Sequence, residues 1–151
     1  MAREVERKFL VSKEVLNTVK IVKTKDVEQF YVEISDEREV RYRKANGKYF
    51  RTIKEGNGIA REEIEVEVSE EEYSQALPQA VGNVIRKTRY VTDAGEEIDV
   101  YKESFEGLVV LEMEFEDEEA ASKYVPPEGA REVTNDKRYK NKYLALKGKP
   151  E

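Results

Sequence analysis

The first charged motif of the chain is Glu4-Val5-Glu6-Arg7-Lys8. Because successive side chains of a β-strand point to opposite faces, Glu4, Glu6 and Lys8 share one face of a predicted strand. Carboxylates are ligands for Mg2+ or Mn2+, and a lysine ammonium group binds phosphate oxygens. One face of this strand therefore has the chemistry to hold a metal ion and a phosphate together. The face is either open solvent surface or the lining of a charged interior.

The same alternation returns on most of the later strands that the sequence predicts. Cations are spaced as Arg-x-Arg, Thr-x-Lys and Lys-x-Arg, and acids are spaced as Glu-x-Glu or Glu-x-Asp. The residues on these faces are Gln29, Tyr31 and Glu33; Arg41 and Arg43; Thr52 and Lys54; Arg61, Glu63 and Glu65; Lys87 and Arg89; Glu97 and Asp99; Glu112 and Glu114.

Two interpretations of these faces stand at this point. They are ordinary solvated faces with weak cross-strand ion pairs, or they line a wet interior that binds a polyanion and divalent metals. A dry interior is excluded because each unpaired buried charge costs several kcal/mol. The pattern alone favours neither interpretation.

The elements that carry these faces are short strands in hairpin order, with a few short helices between them. The turn Ala45-Asn46-Gly47 has the composition of a tight hairpin. The predicted strands run from Arg3 to Val11, Val27 to Ile34, Glu39 to Lys44, Lys48 to Lys54, Ala60 to Val68, Val84 to Val91, Glu96 to Glu103 and Leu108 to Glu116. A closed antiparallel barrel of about eight strands, with short helices packed outside, leaves no exposed edges and fits this pattern.

Helix capping residues predict where the helices begin. Ser12 is expected to cap a short helix, Ser69 a helix that stops near Pro78, Asp117 a helix that ends before Pro126, and Asp136 a last helix toward Leu146. The opposite, apolar strand faces are expected to form the core beneath the helices. They carry Ile64, Val66 and Val68; Ile98 and Val100; Val109, Leu111, Met113 and Phe115.

Composition narrows the classes of protein that this chain can represent. Its 151 residues suit a single domain over 1–151, and its net charge of -6 argues against binding to a nucleic-acid backbone. The chain has no cysteine and no histidine, which excludes disulfides, thiolate or histidine metal sites, and Ser-His or Cys-His nucleophiles. Oxygen ligands must hold any metal. With no signal peptide or transmembrane run, we expect a cytoplasmic protein without membrane contacts, and a homodimer is compatible with the sequence.

The charged motifs, taken in order, resemble the CYTH superfamily, also called the triphosphate tunnel metalloenzymes. The segment Glu4-Val5-Glu6-Arg7-Lys8 matches the family's Glu-x-Glu-x-Lys signature. Gln29-Phe30-Tyr31 resembles its Gln-Gly-Tyr segment, with Phe30 in place of Gly. The resemblance continues through Arg41-Tyr42-Arg43, Thr52-Ile53-Lys54, Arg61-Glu62-Glu63-Ile64-Glu65, Lys87-Thr88-Arg89, Ile98-Asp99-Val100, Gly107-Leu108, Glu112-Met113-Glu114, and Val133-Thr134 with Asp136, Tyr139 and Asn141.

This resemblance implies an α+β, mainly antiparallel fold, an eight-stranded tunnel barrel that binds triphosphates with one or two Mg2+ or Mn2+ ions. It implies triphosphate binding by Lys8, Arg41, Arg43, Lys54, Lys87 and Arg89, and metal binding by Glu4, Glu6, Glu112 and Glu114. Supporting roles fall to Arg61, Glu63, Glu65 and Asp99, and a catalytic Lys–Tyr pair to Lys87 and Tyr31.

The expected activity is metal-dependent hydrolysis of a small triphosphate, with inorganic tripolyphosphate as the preferred substrate. The alternatives are a class IV adenylyl cyclase, a thiamine or nucleoside triphosphatase, and a noncatalytic polyphosphate-binding barrel. The sequence shows no adenine-reading motif, and the lack of tryptophan argues against an aromatic clamp for thiamine. The Glu-x-Glu pairs argue against loss of metal binding.

Overall fold

The protein is described by a computed structural model, which covers residues 5–56 and 61–150. The chain forms two compact units. Unit 1 contains residues 1–25 and 87–136, and unit 2 contains residues 26–86 and 137–151. The single-domain assignment stays a prediction.

Antiparallel strands make up most of the described chain. They are β1 (Val5–Leu10), β2 (Ile21–Ile34), β3 (Arg38–Ala45), β4 (Lys48–Glu55), β5 (Glu62–Val68), β6 (Val81–Thr92), β7 (Glu97–Tyr101), β8 (Val109–Phe115) and β9 (Arg131–Glu132). The helices are α1 (Glu70–Ala76), α2 (Glu118–Lys123) and α3 (Asn141–Lys147), with 3-10 turns at Lys13–Asn17, Leu77–Gln79, Glu103–Phe105 and Lys137–Tyr139.

Unit 1 is built on the strand order β6-β7-β8-β1-β9. Its apolar face packs around Phe9, Val15, Ile98 and Leu111, all buried. Ser12 caps the 3-10 turn that delivers Val15, and its hydroxyl accepts the backbone N–H of Glu14. One face of each strand is thereby fixed against this core, which leaves the other face for charged residues.

Unit 2 is built on the strand order β5-β4-β3-β2. Its core is aromatic, because Phe30 stacks on Tyr42 at 5.5 Å between ring centroids and meets Tyr73 edge-on at 5.2 Å. Tyr73 belongs to α1, which Ser69 caps by accepting the N–H of Glu72. The strand faces opposite Phe30 and Tyr42 carry the charged residues of this unit.

The fold class predicted from the sequence, mainly antiparallel β with short helices, is confirmed. Asn46 and Gly47 both take positive φ angles, 51° and 76°, as a tight hairpin turn requires. Asp117 caps α2 through the N–H of Ala120, as predicted. Closure of the strands into a tunnel stays a prediction. No helix of the described ranges is long and apolar enough to cross a membrane.

Two predictions about elements are wrong, and one strand was not predicted. Ile64 and Val66 are 60% and 38% exposed and are not core residues, because the aromatic core of unit 2 reaches Val68 at the end of β5 but not these two side chains. Asp136 does not cap the last helix, which begins at Asn141 after a separate 3-10 turn. The short strand β9 pairs with β1 and was not predicted.

A further correction concerns the face on which Glu33 lies. A β-bulge shifts the register of β2 against β3, so that Tyr31 pairs with Arg41 but Glu33 pairs with Val40. Opposed residues of an antiparallel pair share a face, and Val40 belongs to the buried aromatic core. Glu33 therefore lies on the face opposite Tyr31 and contacts Arg38 instead, at 3.1 Å between Oε1 and Nη1.

Candidate functional site

Strand pairing brings the predicted site residues of unit 1 onto one face. Lys8 lies opposite Glu112 and Glu6 opposite Glu114 on β1 and β8. Arg89 lies opposite Asp99 on β6 and β7. Opposed residues share a face and alternate residues repeat it, so all of these side chains point the same way. The charged face of unit 1 carries Glu6, Lys8, Lys87, Arg89, Glu97, Asp99, Glu112 and Glu114.

One buried carboxylate organises two cations on this face. Asp99 Oδ2 lies 2.8 Å from Lys87 Nζ, and Arg89 donates to Asp99 from Nε at 2.8 Å and from Nη2 at 3.0 Å. Lys87 and Asp99 are only 1% and 2% exposed. Burial raises the pKa of Asp99, but the charges of Lys87 and Arg89 outweigh burial and lower it to about 2. Asp99 is therefore ionised and holds both cations in place.

A second group on the charged face of unit 1 is rich in carboxylates. Lys8 Nζ pairs with Glu112 Oε1 at 3.2 Å. Desolvation raises the pKa of Glu6, and the carboxylates of Glu112 and Glu114 raise it further. Like-charged carboxylates held together in this way are the oxygen donors that a divalent cation stabilises, so the residue types fit a metal ion. Within residues 5–56 and 61–150, however, no three acidic side chains converge closely enough to hold one.

On the charged face of unit 2, Arg41 and Arg43 are each supported by a neutral side chain. Gln29 Oε1 accepts from Arg43 Nε at 3.1 Å and from Nη2 at 2.9 Å. Thr52 accepts from Arg41 Nη2 at 3.5 Å and donates to Glu65 Oε1 at 2.8 Å. The hydroxyl of Thr52 therefore stands between the guanidinium and the carboxylate and orients both.

Tyr31 lines a small pocket on the same face, together with Glu39, Arg41, Thr52 and Lys54. Desolvation raises the pKa of Tyr31, and neighbouring Arg41 counteracts that effect. The phenol is therefore a neutral hydrogen-bonding group beside a guanidinium.

The remaining predicted residues of unit 2 form ion pairs. Lys54 Nζ lies 3.8 Å from Glu63 Oε1, and Arg61 pairs closely with Glu39. The supporting roles predicted for Glu63, Glu65 and Arg61 stay predictions, but each of these residues contacts a neighbour on the charged face of unit 2.

Two of the predicted residue roles are not tested by the contacts described above. Glu4, the first predicted metal ligand, lies outside the described residues. Tyr31 and Lys87 belong to different units, and their catalytic pairing stays a prediction.

Several residues with clear partners were missed as site residues. Gln29 supports Arg43, Thr52 bridges Arg41 and Glu65, Glu39 pairs with Arg61, and Glu97 Oε2 lies 3.2 Å from Arg89 Nη1. The sequence could have identified two of these residues from their spacing. Glu39 and Glu97 stand two positions before Arg41 and Asp99, so each shares a strand face with a predicted site residue.

Comparison with known proteins places the chain in a family. The CYTH domain model matches residues 2–142. The chain is 34% identical to an inorganic triphosphatase of Nitrosomonas europaea over 148 residues, which cover 95% of this chain and 97% of the relative. It is 35% identical to an inorganic triphosphatase of Acetivibrio thermocellus over 149 residues, which cover 95% of this chain and 94% of the relative.

A solved structure extends the similarity from sequence to fold. The crystal structure of an inorganic triphosphatase matches this protein with a TM-score of 0.76 and 33% sequence identity. The match covers 99% of this chain and 99% of the chain in that structure. Sequence and fold agree over almost the whole length, and we conclude that the chain belongs to the CYTH domain family.

Proposed function

We propose that the protein hydrolyses inorganic tripolyphosphate to pyrophosphate and phosphate with the help of a divalent metal ion. The observation that carries this proposal is the segregation of cations and carboxylates onto one face of each unit, opposite the apolar core. The relatives from Nitrosomonas europaea and Acetivibrio thermocellus are inorganic triphosphatases, which supports a small triphosphate as the substrate.

The cations of both charged faces are proposed to bind phosphate oxygens. Arginine donates two parallel hydrogen bonds to one phosphate, and lysine acts as a point charge. Cations held in advance by Asp99, Glu112 or Gln29 need little reorganisation when charge develops on the leaving pyrophosphate. The proposed set is Lys8, Lys87 and Arg89 in unit 1, and Arg41, Arg43 and Lys54 in unit 2.

The carboxylates of unit 1 are proposed to hold the metal. Glu6, Glu112 and Glu114, together with Glu4, offer the oxygen donors that Mg2+ and Mn2+ prefer. One or two such ions, when bound, supply charge neutralisation of phosphate oxygens and an acidified water. The raised pKa of Glu6 fits this role, because a bound cation would stabilise a carboxylate that burial, and then repulsion by Glu112 and Glu114, disfavours in its charged form.

Lys87 and Tyr31 carry the proposed catalytic roles. The ion pair with Asp99 favours a charged Lys87, so the contacts of unit 1 support phosphate binding more directly than proton abstraction. Tyr31 is proposed to donate a hydrogen bond from its neutral phenol. A cytoplasmic location and a homodimer remain predictions from the sequence.

The test is a substrate panel with the purified protein. Tripolyphosphate, ATP and thiamine triphosphate are each incubated with Mg2+, Mn2+ or Ca2+, and phosphate, pyrophosphate and cyclic AMP are measured by chromatography. We expect metal-dependent release of phosphate and pyrophosphate from tripolyphosphate, and its loss by about 100-fold or more in Glu6→Gln. Glu119→Gln, which alters an exposed residue of α2, is the matched control and keeps full activity.

The other activities are distinct outcomes of the same panel. Cyclic AMP from ATP identifies a cyclase. Binding of tripolyphosphate without turnover under any metal identifies a noncatalytic polyphosphate-binding protein. Faster hydrolysis of thiamine triphosphate than of the other substrates identifies a thiamine triphosphatase. No phosphate release from any substrate with any ion refutes the proposal.

A further inference from the structure

Gln29 is a fully buried amide on the charged face of unit 2, with 0% of its surface exposed. It lies directly opposite Arg43 across β2 and β3. Its Oε1 accepts both the Nε and the Nη2 hydrogen bonds of that guanidinium, at 3.1 and 2.9 Å. One neutral oxygen therefore fixes one whole edge of Arg43.

Arg89 in unit 1 is fixed along the same edge by a different chemical group. Its Nε and Nη2 donate to the two carboxylate oxygens of Asp99, at 2.8 and 3.0 Å. The orientation of the two guanidinium groups is set in equivalent ways. The electrostatic consequence differs, because Asp99 offsets the charge of its arginine and Gln29 contributes no charge to Arg43.

Hydrogen bonding alone would favour a carboxylate at position 29. Gln29 Nε2 is buried and has no acceptor among the described residues, which is unfavourable for a polar group. A glutamate would remove that donor and give the guanidinium two charge-assisted bonds in place of two bonds to one amide oxygen. The amide therefore carries a hydrogen-bonding cost that a carboxylate would avoid, and what the amide provides is neutrality.

We propose that Gln29 is a positioning residue that sets the affinity for the phosphate chain, because it fixes Arg43 without adding a negative charge beside it. The inference deepens the proposed function and rests on it, since it takes Arg43 as a phosphate-binding residue. Its substrate class is a linear polyphosphate of high negative charge, for which one added carboxylate is most costly.

The test compares Gln29→Glu with Gln29→Met by calorimetric binding of tripolyphosphate in metal-free buffer. Gln29→Glu is expected to weaken binding about tenfold or more, which is about 1.4 kcal/mol, and to reduce its dependence on salt concentration. Gln29→Met keeps the shape and the neutrality, so it loses less affinity and keeps the salt dependence of wild type. The thermal midpoint of each variant checks that it is folded.

A double variant shows whether the effect runs through Arg43. In an Arg43→Ala background, Gln29→Glu is expected to cost much less affinity than in wild type, because the residue that it neutralises is gone. Three results would overturn the inference: wild-type affinity in Gln29→Glu, an equal loss in the Arg43→Ala background, or equal losses in both single variants with unchanged salt dependence.

The failure of this inference and the failure of the proposed function give different results. A wild-type protein that binds tripolyphosphate without hydrolysing it contradicts the proposed function, and a selective loss of binding in Gln29→Glu then still supports the inference. A wild-type protein that binds no tripolyphosphate overturns both.

Discussion

Replacing Asp99 by asparagine tests the electrostatic organisation of unit 1 most directly. Asp99 is buried, and its carboxylate contacts both Lys87 and Arg89 within 3.0 Å. Asparagine has nearly the same shape but removes the negative charge. Two buried or half-buried cations then lose the carboxylate that they share.

The size of the effect follows from the pKa of Asp99 and from the behaviour of buried ion pairs. A fall in the pKa from 3.8 to about 2, at about 1.36 kcal/mol for each pH unit, corresponds to about 2 kcal/mol of stability at neutral pH. Removing one partner of a buried ion pair typically costs about 3–5 kcal/mol, since the other charge is left without compensation. We therefore expect Asp99→Asn to lower the free energy of unfolding by at least about 2 kcal/mol at pH 7.

The pH dependence has a definite sign. The folded-state pKa of Asp99 is depressed, so the stabilisation is present above the unfolded value of 3.8 and is lost as the pH falls toward 2. The difference in stability between wild type and Asp99→Asn is therefore expected to be constant from pH 7 to about 5 and to shrink below about 4. Urea denaturation at several pH values measures it.

A matched control separates this buried network from surface charge in general. Glu119 pairs with Lys123 at 3.2 Å, and these side chains are 78% and 71% exposed. Glu119→Gln is expected to change stability by less than about 0.5 kcal/mol, because exposed ion pairs contribute little. Equal unfolding free energies of Asp99→Asn and Glu119→Gln at pH 7 would refute the reasoning.

Two further predictions concern backbone geometry and a partly exposed ion pair. Gly82→Ala is expected to destabilise more than Gly129→Ala, since both positions have positive φ but a Cβ at Gly82 would lie 2.3 Å from the carbonyl oxygen of Ala145; equal thermal midpoints of the two variants would contradict this. Glu132→Gln is expected to cost about 1 kcal/mol at pH 7, because Arg7 donates two hydrogen bonds of 2.9 Å to this half-exposed carboxylate. The side-chain hydrogen bond from Arg7 lowers the pKa of Glu132 to about 2, so this cost should fade between pH 4.5 and 2 in urea titrations, and a cost that persists at pH 2 would show that packing dominates.

The parts of the fold that follow from local rules were predictable from the sequence. Side-chain alternation placed Lys87 and Arg89 on one face, and the Asn46-Gly47 pair identified a tight hairpin. Ser69 and Asp117 cap their helices where the sequence predicts, because a cap depends on atoms within three residues of it.

The parts that depend on long-range packing were not predictable. The exposure of Ile64 depends on whether another element covers β5, and the alternation of residues does not contain that information. The ion-pair partner of a charged residue also depends on long-range packing. Arg61 pairs with Glu39 of β3, although several acidic residues lie nearer to it in sequence. For the candidate site, alternation identified the charged face, but only the structure distinguishes an arginine held by Gln29 from one held by Asp99.

The bulge in β2 has a consequence for how this family can change by insertion and deletion. The bulge takes up Val32 as an extra residue, so that Glu33 lies on the face of Val40 rather than on the face of Tyr31. Loss of Val32 would make the pairing regular, because Tyr31 and Glu33 would then be consecutive residues opposite Arg41 and Val40, and Glu33 would stay on the face of Val40. A single-codon deletion is therefore a mutational route that removes the bulge without moving a charge onto the face of Arg41, and its cost is the loss of one apolar residue that packs against the aromatic core of unit 2.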